Sequence, residues 1–107
     1  MAGSKRQKTD KSVKQVLAPV QAEYAAHHPK AKIEAYRYNP ASIRVRIIDP
    51  DFRGKGRLKR DEQVGKILEA LPDEIHTDII FLLVLTPKEQ KTSHGSLIFD
   101  TAIPLLL

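Results

Sequence analysis

The residues best placed to do chemistry lie in the stretch DPDFRGKGRLKRDE, positions 49 to 62. Here Gly54 and Gly56 stand among Arg53, Lys55, Arg57, Lys59 and Arg60. Glycines let backbone N–H groups come close to an anion, and the basic side chains neutralise it. A nucleotide-binding phosphate loop requires G-x-x-x-x-G-K-[ST]. In this chain the lysine falls between the glycines, and no hydroxyl follows to hold magnesium. Two readings stay open. The stretch is a basic entry to a helix N-terminus that holds a single phosphate, or a mobile connection whose glycines supply positive-φ turns.

Other reactive groups are sparse. His27 and His28 are adjacent and His76 and His94 are distant, without the i, i+4 spacing or the carboxylate company of a metal motif. No metal site is expected. Neither a Ser/His/Asp constellation nor a nucleophile elbow is present, so no catalytic residue is expected and the chain reads as a non-enzyme. Tyr36 and Tyr38, beside Arg37 and Arg44, have the chemistry to stack unpaired bases. The competing reading packs them as half-buried sheet residues.

A chain of 107 residues and 12.1 kDa suits one domain, with 41% apolar residues for a core and 29% charged residues for a surface. Without cysteine there is no disulfide or zinc-thiolate site, which suits a cytoplasmic protein. The N-terminus has no apolar signal core, and the longest apolar run, seven residues from Ile79 to Leu85, is far short of the roughly 20 of a membrane helix. Net charge is +5: five Lys/Arg lie in the first 14 residues and seven from Arg44 to Arg60. That excess serves a polyanionic partner or plain solubility.

Five elements must position these groups. Val13, Val16, Leu17, Val20 and Tyr24 repeat at helical spacing, with a capping-box pattern from Ser12 to Gln15 and a helix end near HHPK. Pro19 either kinks this helix or begins it. AKIEAYRYN and SIRVRII are strands joined by a short turn, a predicted hairpin with Ile43, Val45 and Ile47 inward and Arg44 and Arg46 outward. LKRDEQVGKILEAL is a helix whose stripe includes Leu58, Val64, Ile67, Leu68 and Leu71, with Asp61 and Glu62 in its first turn. DIIFLLVL reads as a strand covered on both faces or central in the sheet, ended by Thr86-Pro87. KEQKTSHGS is a polar connection, and LIFDTAIPLLL is a tail that docks on the domain's own sheet or helices, or else serves a dimer or partner contact. The order predicts an α+β, two-layer α-β-β-α-β domain with a three-stranded mixed sheet. Residues 1–11 form a disordered basic arm, 12–90 the domain and 91–107 the apolar tail.

This order, with a Gly-containing loop before the second helix, resembles a type II KH-like fold. Residues 43 to 89 are similar to the BolA family. The likeness is carried by IRVRII, by Phe52 and Gly54 in DPDFRG, by Leu58 and Arg60, by VGKILEAL, and by the strand ending in Thr86-Pro87-x-Glu89. In BolA-like proteins histidines are associated with a [2Fe–2S] cluster shared with monothiol glutaredoxins. Here Asp61 and Asp78 stand at the histidine positions, and His76 reaches the second only with a shifted register. The resemblance thus implies the fold more than a cluster, and no cofactor is expected.

The leading expectation is a non-enzymatic BolA-like domain that binds nucleic acid, DNA or RNA, in a regulatory role. Arg53, Lys55, Arg57, Lys59 and Arg60 would contact phosphates, with Gly54 and Gly56 allowing close approach and Arg44 and Arg46 extending the patch. The alternative is an adaptor for a glutaredoxin-like protein, with His76 and Asp78 as partner contacts. A monomer or weak dimer without a membrane is expected in either case.

Overall fold

A computed structural model describes residues 10–101 of the chain. Helix α1 (Lys11–Glu23) is capped by Asp10, whose carboxylate accepts the Val13 N–H at 2.8 Å. The cap therefore lies two residues before the expected Ser12, which is already inside the helix, with the Asp10 carboxylate satisfying one of its leading N–H groups. The helix runs through Pro19. Pro19 cannot donate to the Gln15 carbonyl, and Gln15 is exposed. Val13, Val16, Val20 and Tyr24 are buried along the predicted face, and a single 3-10 turn, Ala25–His27, follows.

Strands β1 (Lys32–Asn39) and β2 (Ser42–Ile48) form the predicted antiparallel hairpin. Helix α2 (Arg57–Glu69) and the short α3 (Asp73–His76) then carry the chain to β3 (Ile79–Leu85), which pairs parallel with β2. The result is the expected α+β architecture with a three-stranded mixed sheet, in the order β1-β2-β3. β3 is an edge strand and β2 is central, and Ile80 on β3 is 69% exposed. The expected central or fully covered strand is thus corrected: a continuous apolar run fixes neither the lateral neighbours nor complete cover of both faces.

Ile43, Val45 and Ile47 are fully buried against α1 and α2, with Phe52, Val64, Ile67 and Leu68 completing the core. Leu58 is not part of the apolar stripe, being 72% exposed on the first turn of α2. Since that helix begins at Arg57, Asp61 and Glu62 lie beyond its first turn. The polar connection after Thr86 is helical. Thr86 and Glu89 form a reciprocal capping box that opens α4 (Pro87–Thr92). Ser93 then caps α5 (His94–Asp100), which lies on the sheet face opposite α1. The described part of the tail, up to Thr101, packs on the sheet through Phe99 while Leu97 stays exposed; 102–107, like 1–9 of the proposed basic arm, lie outside the described residues. The rest of that arm, Asp10 and Lys11, belongs to the start of α1.

Candidate functional site

The loop between β2 and α2 is built by short local bonds. Asp49 accepts the Asp51 N–H at 3.0 Å and opens a 3-10 turn over Pro50–Phe52. Phe52 is wholly buried and pins the turn to the core. Gly54 has φ +81°, in the left-handed region that side chains strain to occupy. Gly56 is the N-cap of α2 and supplies no side-chain acceptor. The leading N–H groups of α2 therefore keep their positive end without an internal side-chain cap.

Around this helix start the basic residues divide into two sets. Arg53, Arg57 and Lys59 are exposed and Lys55 is half-buried, its Nζ bonded to the neutral Gln63 amide at 3.2 Å. None of the four forms an ion pair among the described residues. Lys55, Gly56 and Arg57 border an open groove of about 490 Å³, whose other wall is formed by Leu85, Glu89 and Ser93.

The remaining arginines have internal partners. Arg60 is 8% exposed and donates to both oxygens of Glu89 at 2.6 and 3.1 Å, to the Lys55 carbonyl at 2.8 Å and to the Val84 carbonyl at 3.0 Å. Its guanidinium, with the Thr86 N–H, holds the Glu89 carboxyl down at about 2. Arg46 is 3% exposed. It pairs with Glu34 at 2.8 Å and Asp100 at 2.9 Å, bonds the Ser96 hydroxyl at 2.5 Å and lies over the Phe99 ring. Burial disfavours its charge, but the Glu34 and Asp100 carboxylates outweigh that and raise its pKa. Arg44 stacks 3.7 Å from the Tyr38 ring centre and donates to the Ile98 carbonyl and the Tyr36 hydroxyl. Arg44 and Arg46 do project from the outer sheet face, but α5 covers it. The expected phosphate contacts of Arg44, Arg46 and Arg60 are therefore replaced by intramolecular ones.

The aromatic pair follows the same pattern. Tyr36 is buried, donates to the Phe99 carbonyl at 2.6 Å and meets that ring edge-on, while Tyr38 carries Arg44. Tyr36 belongs to the sheet–α5 interface, and Tyr38 is half-buried on the sheet under Arg44. His76 is exposed at the end of α3. Asp78 is part of an acidic–basic chain in which Arg37 joins Asp78 to Asp10. A [2Fe–2S] cluster needs thiolate or imidazole ligands. With no cysteine in the chain, and with Asp61 and an Arg37-paired Asp78 where the sequence resemblance would put histidines, these residues do not fit one.

A constellation invisible to spacing lies at the turn that opens the loop. His28, Asp49 and Asp51 bring one ligand atom each within 4.8 Å of one another. Tyr24 donates its hydroxyl to Asp49, and burial, reinforced by that carboxylate, pushes the phenol well above its usual range. The only sequence signal was the recurrence of two aspartates around Pro50, 21 residues after His28.

Compared with protein-family models, with curated proteins and with solved structures, the chain matches none.

Proposed function

We propose that the chain is a divergent BolA-like, KH-like binding domain, not an enzyme, that grips a nucleic-acid backbone at the start of α2. The observation that carries this reading is the cluster Arg53, Lys55, Arg57 and Lys59. These are four cations without ion pairs among the described residues, interleaved with Gly54 and Gly56 at an uncapped helix N-terminus beside an open groove. Phosphate oxygens match such a surface twice, through charge and through free N–H groups. Leu58, exposed between Arg57 and Lys59, adds an apolar contact for a sugar or base face. The α-β-β-α-β order with an antiparallel β1-β2 pair and a parallel β2-β3 pair supports the family likeness.

The contact is sequence-tolerant, since helix N–H groups and cations at a helix start address phosphates, which carry no sequence information directly. Four phosphate contacts on a single strand give a log–log salt slope near −2.8, so affinity falls about 50-fold between 50 and 200 mM salt. Fluorescence anisotropy with 20-nucleotide DNA and RNA probes measures it. Replacing Arg53, Lys55, Arg57 and Lys59 together by glutamine flattens the slope while circular dichroism stays unchanged. Wild-type protein that shows no salt-sensitive binding to either probe rules the reading out.

A further inference from the structure

We propose that His28, Asp49 and Asp51 form a binding site for a divalent transition-metal ion of the zinc class, separate from the basic loop surface. The donor set is one imidazole nitrogen and two carboxylate oxygens, a mixture that suits zinc, manganese or cobalt better than the all-oxygen cations magnesium and calcium. Its geometry is close to a coordination shape. His28 Nδ1 lies 3.4 Å from Asp49 Oδ2, which is about the separation of two atoms held 2.1 Å from one tetrahedral ion. His28 Nδ1 and Asp51 Oδ2 are 2.7 Å apart and need to open by about 0.7 Å to reach that separation. Asp51 can do so, because its side chain is 56% exposed on a surface turn.

The other two donors are held in place. The Asp49 side chain is completely buried; one oxygen accepts the Tyr24 hydroxyl at 2.5 Å and the other the Asp51 N–H. The His28 ring stacks on Tyr24, with centroids 4.1 Å apart and planes 13° apart. Pro29 keeps the His28 backbone out of the helical region, so the chain leaves the 3-10 turn with the imidazole against this acidic pair. Ligands oriented by outside hydrogen bonds and packing bind metal with little ordering cost.

Charge balance supplies the reason for an ion. A buried carboxylate needs a positive partner. Glu34, Glu89, Asp10, Asp78 and Asp100 each have an arginine. Asp49 and Asp51 have no Lys or Arg ion pair among the described residues, only His28. A dication balances both carboxylates. The partly exposed side, formed by His28 and Asp51, leaves room for water to complete the coordination.

Titration calorimetry of the chelator-treated full chain with zinc chloride tests this. One ion per chain is expected. His28→Gln and Asp51→Asn should each weaken binding about tenfold or more, whereas His76→Gln and His94→Gln leave it unchanged. Cobalt(II) should give visible d–d absorption with wild-type protein and lose it with His28→Gln, and excess magnesium should not compete. Asp51→Asn sits at an exposed position, so it remains decisive if His28→Gln loosens the fold. Absence of saturable one-to-one binding, or binding that survives in the double variant His28→Gln/Asp51→Asn, overturns the site and reduces the cluster to a His–Asp hydrogen bond. Both outcomes are independent of nucleic-acid binding.

Discussion

Arg46 and Arg57 are 11 positions apart, both basic and both next to hydrophobic segments, yet they do opposite work. Arg46 is enclosed between β1, β2 and α5, with two carboxylates, a hydroxyl and an aromatic ring as partners. Arg57 stands in solvent at the start of a helix with no carboxylate within ion-pair distance among the described residues. The same division separates Arg44 and Arg60 from Arg53, Lys55 and Lys59. A positive sequence window is thus two populations. One joins elements of the fold; the other remains available to an outside anion. What sorts them is whether a later segment brings acceptors to the same place, as α5 does for Arg44 and Arg46 and the Thr86–Glu89 box does for Arg60.

The sharpest way to break this division is to remove a member of the enclosed set. Arg46→Met should cost about 3 kcal/mol, because it strips a buried guanidinium from Glu34, Asp100 and Ser96 together. Urea unfolding measures it, and a loss below about 0.5 kcal/mol would place Arg46 with the surface set. Gly54→Ala should cost about 1 kcal/mol, since its φ of +81° strains any side chain although no atom lies within 4 Å of the added carbon. Glu89 tests the Arg60 pair by pH. Its carboxyl is depressed from 4.5 to about 2, so its contribution is complete above pH 4.5 and disappears as the pH falls through about 2. Solvent reaches this half-exposed group and trims the effect to about 1 kcal/mol. Stability curves of wild type and Glu89→Gln should therefore converge in acid and separate above pH 4.5. The smallest effect is expected for the open set, where Arg57→Gln and Lys59→Gln each change stability by less than about 0.5 kcal/mol.

What could be read from the residues was the part of the fold written in local periodicity. Alternation in SIRVRII gave the inward Ile43, Val45 and Ile47, and three-and-four spacing gave the buried face of α1. Thr86-x-x-Glu89 is a helix-start signal as strong as the one sought at Ser12, but Pro87 and the preceding strand made it look like a terminator. The place of β3 at the edge was not legible, because an unbroken apolar run has no alternation to betray which neighbours or faces the strand has. Of the candidate site, Gly54, Gly56 and the exposed cations could be located, whereas the commitment of Arg46 depends on Ser96, 50 residues away. The meeting of His28 with Asp49 and Asp51 likewise depends on how α1 and β2 end beside one another.

Helix α5 has seven residues, too few to persist without the sheet beneath it. Its hold is concentrated in Arg44, Arg46, Tyr36 and Phe99, so these contacts should be lost together in one cooperative opening. Amide exchange in α5 would then be faster than in β2 and share a single protection level across Leu97–Asp100, reporting a subglobal unfolding unit. Each such opening would bare, for its lifetime, a sheet face striped with guanidinium and phenol groups. Such an opening, if exchange shows it, would give the domain a second cationic surface under the control of one short helix.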